Sequence, residues 1–283
     1  MLGIIMLAVY LLFTTSASVF IYNRYYYFFN PIKDQEGKDI HEKYPEFRRH
    51  DAGLFTLPRL ILGMPFAVIR LISTLTFVIL YFIWLKLIYL GATPKKNEPL
   101  TPGRKLISNI GGSILPRLLF LCSGIWVSRT QINKRDKEII RKYLGSDYDF
   151  NRKDYSIIIS NHVSWGEIIN SITYGAGYIA KSAVEKTPVL GFVVKAMGGL
   201  FIDRDNKDSR EQLLDLIKER QSKFLSKERI TPLFIYPEGT VSIGTHILPF
   251  KKGAFHALLP VKPFLQIDSV DSKNGVSPMI GSG

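Results

Sequence analysis

Strand-like and helix-like segments alternate along the second half of this 283-residue chain. Residues 155–159, 178–181 and 233–235 are short apolar runs of the length expected for buried strands. Between them, residues 209–224 carry leucine and isoleucine at the spacing of an amphipathic helix. A further helix is expected over residues 189–197, after a proline. This alternation predicts an α/β domain, for which we expect a central mixed sheet flanked by helices.

A histidine and a carboxylate, His162 and Glu167, lie five residues apart between the first predicted strand and the next helix. On a regular helix their side chains would point apart, because five residues advance the helix by about 500°. They can meet only if the backbone turns between them, and Asn161 and Ser164 are turn or N-cap types. An imidazole held by a carboxylate can take a proton from an attacking hydroxyl. A loop histidine beside a capping glutamate is the alternative for this segment alone.

Further polar residues follow the later predicted strands. Arg204 stands at the end of one strand, residues 237–240 (Pro-Glu-Gly-Thr) follow another, and Lys251 and Lys252 come soon after. Open α/β sheets build ligand sites at the carboxyl ends of their strands, and an arginine there can hold a phosphate. Taken singly, the same residues are also typical of a surface ion pair, an ordinary turn and solvated lysines.

In this order and spacing, the segments resemble the glycerolipid acyltransferase family, which includes lysophosphatidic acid and lysophosphatidylcholine acyltransferases. The first family motif is Asn-His with Asp five residues after the His, and here Glu replaces the Asp. The resemblance covers residues 105–267. The matching residues are Asn161, His162 and Glu167 for the first motif, 201–204 for the second, 237–240 for the third and 257–263 for the fourth.

The resemblance implies that His162 is a general base oriented by Glu167. It implies acyl-CoA as the donor co-substrate and a lysophospholipid as the acceptor, with no further cofactor and no metal. The residues implied to bind substrate are Arg204, Glu238, Gly239, Thr240, Asn161 and Lys181.

The glutamate at position 167 keeps two function classes open. Its extra methylene moves the carboxylate by about 1.5 Å, and a misplacement of about 1 Å can cost roughly a hundredfold in rate. The first class is a membrane-anchored acyl-CoA:lysophospholipid acyltransferase. The second is a non-catalytic relative that serves as a structural or lipid-binding subunit of a larger membrane complex. The intact His162, Arg204 and 237–240 segment favour the enzyme.

The charge of the chain indicates an acidic partner. The formal net charge is +13 and the isoelectric point is about 9.7. Anionic lipid headgroups and the phosphates of CoA both suit such a chain. The sequence contains no recognisable nucleic-acid-binding module, so we expect membrane lipids rather than nucleic acid. The single cysteine, Cys122, excludes an internal disulfide.

Two apolar regions indicate a membrane protein. Residues 1–22 carry no charge and are long enough to span a bilayer, and residues 23–29 resemble a basic and aromatic interface belt. A cleaved signal peptide is the alternative, but the run has no basic leader. Residues 60–90 are interrupted by Arg70 and Lys86, so a tilted span and a re-entrant helix both remain open.

The chain therefore divides into five parts. We expect an integral membrane protein, with the endoplasmic reticulum as the first choice and the mitochondrial inner membrane as the alternative. The parts are a transmembrane anchor at 1–30, a polar linker at 31–59, membrane-embedded or interfacial helices at 60–127, an acyltransferase domain at 128–267 and an irregular tail at 268–283.

Overall fold

The computed structural model describes most of the chain, with gaps at both ends and between several elements. The described residues are 2–29, 33, 35–44, 56–94, 101–122, 132–150, 155–164, 166–226, 231–242, 244 and 246–267. The helices are α1 (Leu2–Phe29), α2 (Ile40–Lys43), α3 (Leu57–Ile88), α4 (Pro102–Cys122), α5 (Lys134–Leu144), α6 (Glu167–Thr173), α7 (Ser182–Glu185), α8 (Leu190–Ala196), α9 (Lys207–Leu225) and a 3-10 helix (Lys252–Phe255). The strands are β1 (Ile157–Ser160), β2 (Gly177–Lys181), β3 (Leu200–Ile202), β4 (Leu233–Ile235) and β5 (Val261–Phe264).

The five described strands form one sheet in the order β3-β2-β4-β1-β5. The α/β class is confirmed, but the expectation of a mixed sheet is corrected, because every pairing between described strands is parallel. Helices connect β1 to β2, β2 to β3 and β3 to β4. Such crossover connections return the chain in the same direction, which accounts for the parallel pairing.

The two faces of the sheet pack against different helices. On one face, Ile157 and Ile159 of β1 form a buried cluster with Leu213 and Ile217 of α9. On the other face, Ile158 belongs to a second cluster, which includes Val194 of α8. Successive side chains of a strand point to opposite faces, so the apolar run of β1 fills both layers of the core.

Helix α8 lies between the sheet and the end of α3. Its Val193 joins a third buried cluster, in which Tyr81 and Leu85 of α3 also take part. The Tyr81 hydroxyl lies 2.9 Å from Met197 Sδ, and the Tyr89 hydroxyl donates to the carbonyl of Ala196 at 3.1 Å. Helix α9, the sheet, helix α8 and the end of α3 therefore form successive layers.

Three of the described helices, α1, α3 and α4, are long and apolar enough to cross a membrane, by length and composition. Helix α1 packs on α3, where Tyr10 donates to the Pro65 carbonyl at 2.6 Å and Ser18 to the Leu60 carbonyl at 3.2 Å. Helix α4 lies against both α3 and α6, as expected for a helix placed against the membrane or the domain.

Helix α3 is one continuous element, and it begins at Leu57, inside the segment that we predicted as a polar linker. Its 32 residues make it about 48 Å long, which exceeds the hydrocarbon thickness of about 30 Å. Its last turns are the part that contacts α8. One helix is thus long enough to cross a bilayer and also reach the α/β domain.

Gly177 allows β2 to start close to the turn before β3. A Cβ atom at Gly177 would lie 2.6 Å from the carbonyl carbon and oxygen of Gly198. We expect Gly177→Ala to destabilise the domain by about 1–3 kcal/mol, because backbone would have to move in a packed core. Thermal unfolding of the detergent-solubilised protein measures this change.

Gly63→Ala is the matched control. Gly63 lies within α3 and has no atom within 4 Å of the added Cβ, so its replacement should leave stability unchanged or raise it by up to about 1 kcal/mol. Equal melting temperatures for Gly177→Ala and the unmodified chain would contradict the packing argument.

Candidate active site

The predicted site residues gather at one edge of the sheet. Because the strands are parallel, their carboxyl ends lie at the same edge. His162 follows β1, Arg204 follows β3 and Glu238 follows β4, while Lys181 is the last residue of β2. Strands β1 and β4 are neighbours in the sheet and therefore bring His162 and Glu238 together.

His162 and Glu167 are in contact. The distance from His162 Nδ1 to Glu167 Oε2 is 2.6 Å, and the Glu167 side chain is 1% exposed. The other oxygen, Oε1, accepts the backbone N–H groups of Val163 and Ser164, the second at 2.9 Å. A carboxylate can be buried only when its oxygens are paired in this way. The turn between a strand end and a helix start, which the sequence required, is present.

The longer glutamate side chain fits because it folds back over the turn. Helix α6 begins at Glu167, and the carboxylate reaches the N–H groups three and four residues earlier in the chain. An ionised carboxylate only accepts hydrogen bonds, so His162 Nδ1 carries the proton that joins the two groups. The lone pair of the neutral imidazole is then on Nε2, the nitrogen that a general base needs. The His162 side chain is 20% exposed.

Tyr236 contacts both His162 and Glu167, and sequence analysis did not assign it to the site. Its ring stacks on the His162 imidazole with centroids 4.5 Å apart, and its hydroxyl donates to the Glu167 carbonyl at 3.1 Å. Burial, followed by the nearby Glu167 charge, raises the pKa of Tyr236 well above its ordinary value, so the hydroxyl remains a donor. In the sequence, the only signal for Tyr236 was the position of an aromatic residue directly before Pro237.

Glu238 is buried and pairs with two backbone groups. One oxygen accepts the backbone N–H of His162 at 3.0 Å, and the other accepts that of Leu248 at 3.2 Å. The residue is 4% exposed. The carboxylate therefore holds the backbone at His162 in place, and its contact with an acceptor stays a prediction.

Asn161 also has a structural position. Its amide nitrogen donates to the Gln266 carbonyl at 2.9 Å, and its amide oxygen accepts the Gln266 N–H at 2.8 Å. This reciprocal pair joins the end of β1 to the end of β5, and Asn161 is 6% exposed. Asn161 therefore ties the two strand ends together beside His162, and its contact with a substrate stays a prediction.

Two cations flank Gly239. Arg204 Nη1 donates to the Gly239 carbonyl at 3.0 Å, and a Cβ at Gly239 would lie 2.5 Å from Lys251 Nζ. Gly239 has φ +72°, so both its conformation and its surroundings favour glycine. Within the described residues neither Arg204 nor Lys251 forms an ion pair. The carboxylate of Asp203, next to Arg204 in sequence, accepts the backbone N–H of Asp205. Sequence analysis noted Lys251 but did not assign it to the site.

Lys181 and Thr240 lie at the same edge, and both are exposed. Lys181 pairs in register with Ile202 of β3, two residues before Arg204, and Thr240 follows Gly239 in the loop after β4. Neither side chain forms a hydrogen bond with a described residue. The edge therefore presents exposed cations from β2, from the end of β3 and from the loop after β4.

Known proteins are similar in sequence to this part of the chain. A family model described as Acyltransferase matches residues 131–266. The lysophospholipid acyltransferase LPEAT1 of Arabidopsis thaliana is 27% identical over 54% of this chain and 42% of its own length. A 1-acyl-sn-glycerol-3-phosphate acyltransferase of Saccharomyces cerevisiae is 31% identical over 46% of this chain and 43% of its own length. The crystal structure of the acyltransferase PlsC from Thermotoga maritima aligns at 17% identity with a TM-score of 0.39, over 68% of this chain and 73% of that chain.

These matches confirm the resemblance to glycerolipid acyltransferases over residues 131–266. The matched relatives act on lysophospholipids or on 1-acyl-sn-glycerol-3-phosphate. The chain spans less than half the length of these curated relatives.

Changing the length or the charge of Glu167 should lower activity. Glu167→Asp shortens the side chain by about 1.5 Å and withdraws it from His162 Nδ1, so we expect a loss of roughly a hundredfold in kcat. Glu167→Gln keeps the length but presents an amide N–H to Nδ1, which favours the wrong tautomer. Steady-state acyl-transfer assays measure both variants.

Circular dichroism of the two variants gives the control for folding. An Asp variant with the unmodified rate, or with a higher rate, would contradict the role of the longer side chain.

Proposed function

We propose that the protein transfers an acyl group from acyl-CoA to the free hydroxyl of a lysophospholipid, with His162 as the general base. The observation that carries the proposal is the 2.6 Å contact between His162 Nδ1 and the buried Glu167 carboxylate. It supplies an oriented imidazole at the edge of the sheet where exposed cations also gather.

The reaction proceeds through an oxyanion and leaves His162 unchanged. His162 Nε2 takes the proton of the acceptor hydroxyl while the hydroxyl oxygen attacks the thioester carbonyl carbon. The carbon–sulfur bond then breaks as the tetrahedral oxyanion collapses to an ester. The imidazolium, stabilised by Glu167, returns the proton to the CoA thiolate. Ester and free thiol are the two products.

The acceptor is held by its phosphate. Arg204 and Lys251 both lie against Gly239, the residue that directly follows the Glu238 clamp on His162. Two like charges without a carboxylate partner among the described residues attract an anion. The guanidinium and the ammonium suit a phosphate, the group that lysophospholipids share with 1-acyl-sn-glycerol-3-phosphate.

The alternative function is a non-catalytic subunit of a membrane complex. That function requires no contact between residues 162 and 167, and it would be compatible with a glutamate directed to solvent or to an ion-pair partner. Here the carboxylate accepts three hydrogen bonds inside the turn, one of them from the imidazole. This arrangement favours the enzyme.

Removing the base should abolish turnover. For His162→Ala we expect the release of free CoA to fall by about 10²–10⁴-fold, the range typical of a lost general base. The assay follows thiol release from acyl-CoA across a panel of lysophospholipids, which also tests the donor and the acceptor class.

His256→Ala is the matched control, because His256 is exposed and follows the 3-10 helix. A folded His162→Ala variant that releases CoA at the rate of the control would overturn the assignment of the base.

Removing either cation should weaken acceptor binding more than it slows the chemistry. For Arg204→Ala and for Lys251→Ala we expect KM for the lysophospholipid to rise about tenfold to a hundredfold, because a charge-assisted contact contributes about 1.5–3 kcal/mol. KM for acyl-CoA and kcat should change less.

Lys252→Ala and Arg210→Ala are the controls, since both side chains are exposed and lie near the tested cations in sequence. An unchanged acceptor KM together with a lower melting temperature would assign Arg204 to the stability of the fold instead.

A further inference from the structure

Helix α5 gathers its apolar residues on one face. At 100° per residue, Ile139, Ile140, Tyr143 and Leu144 fall within about 140° of the helix circumference, and Asp136 of the first turn is the one charged residue inside this arc. The rest of the circumference carries five basic side chains and Glu138. The basic residues are Lys134, Arg135, Lys137, Arg141 and Lys142.

The apolar face of α5 is not covered by the described residues. No α5 residue is buried, and Ile139, Tyr143 and Leu144 are 43%, 84% and 57% exposed. A helix of 11 residues is marginal in water on its own, and most short helices depend on packing of an apolar face. An external surface that accepts this face would supply the missing stabilisation.

Phe150 contacts α5 at one border of the apolar face. Lys137 Nζ lies 5.7 Å and Arg141 Cζ lies 5.5 Å from the centre of the Phe150 ring. This contact leaves Ile139, Tyr143 and Leu144 exposed. Among the described residues, no carboxylate forms an ion pair with an α5 cation.

The charges that border the apolar face indicate what covers it. Arg135 and Lys142 lie along one border, and Lys137 lies along the other. Long basic side chains at such borders place their stems along acyl chains and their charges at the headgroups. The described helix that precedes α5 is α4, which is long and apolar enough to cross a membrane.

We propose that α5 lies in the headgroup region of an anionic membrane. Ile139, Tyr143 and Leu144 enter the acyl-chain boundary, and Arg135 and Lys142 contact lipid phosphates. The helix then forms a membrane contact of the acyltransferase domain that is separate from α1, α3 and α4. This contact holds the domain at the surface where a lysophospholipid is presented.

The test uses the full chain in lipid nanodiscs and a fluorophore on single cysteines. Cys122, the one native cysteine, is replaced by serine. An environment-sensitive dye is then attached at Tyr143→Cys on the apolar face, or at Glu138→Cys on the polar face as the matched control. The nanodiscs contain brominated phosphatidylcholine, with or without phosphatidylglycerol.

We expect quenching by brominated lipid to be at least about twofold stronger at position 143 than at position 138, because interfacial helices bury their apolar face by about 5–10 Å. The difference should grow with phosphatidylglycerol. Arg135→Gln with Lys142→Gln should remove that increase, whereas Lys207→Gln with Lys218→Gln on α9 should retain it.

Two results would overturn the membrane contact. The first is equal quenching at positions 143 and 138. The second is a blue shift at position 143 without quenching, which would mean that a protein surface or a second copy covers the face. Stronger quenching at position 143 with no dependence on phosphatidylglycerol would overturn the choice of anionic headgroups.

Discussion

The buried carboxylate of Glu167 is the interaction on which the site depends. It accepts two backbone N–H groups of the preceding turn and joins His162 Nδ1 at 2.6 Å. A carboxylate 1% exposed is costly unless every oxygen is paired. The same bonds that make its burial tolerable therefore fix the turn, the imidazole ring and its tautomer. Loss of any one of them would disturb the others.

The sheet extends this arrangement to the neighbouring strands. Glu238 at the end of β4 accepts the backbone N–H of His162, and Asn161 joins β1 to Gln266 beyond β5. The histidine is thus held through its own backbone and through the residue before it. Preorganisation of this kind removes the need to reorder the site during the reaction. Glu238 and Asn161 are buried at this edge, whereas the cations Lys181, Arg204 and Lys251 are exposed.

Strands β1 to β4, helices α8 and α9 and the turn at His162 were predictable, because each follows from local pattern and spacing, whereas β5 was not predicted as a strand. The hydrogen bonds of Glu238 and Asn161 were not predictable, since their partners lie 76 and 105 residues away in sequence. The family resemblance implied substrate contact for both residues, and the fold adds that their side chains pair with backbone N–H and C=O groups. Lys251 was not assigned to the site for a similar reason. The sequence cannot distinguish it from the adjacent Lys252, and only the structure shows that Lys251 lies close to Gly239.

Helix α6 connects the catalytic turn to the apolar helices. Its first residue, Glu167, holds His162, and Ile172 near its other end packs against Tyr81 and Leu85 of α3. The Ile172 carbonyl also lies 3.3 Å from the position of a Cβ at Gly112 of α4. Seven residues of helix span about 10 Å. His162 and the helices that are long and apolar enough to cross a bilayer are therefore fixed relative to each other by one short rigid element, which suits the proposed reaction on a membrane-resident acceptor.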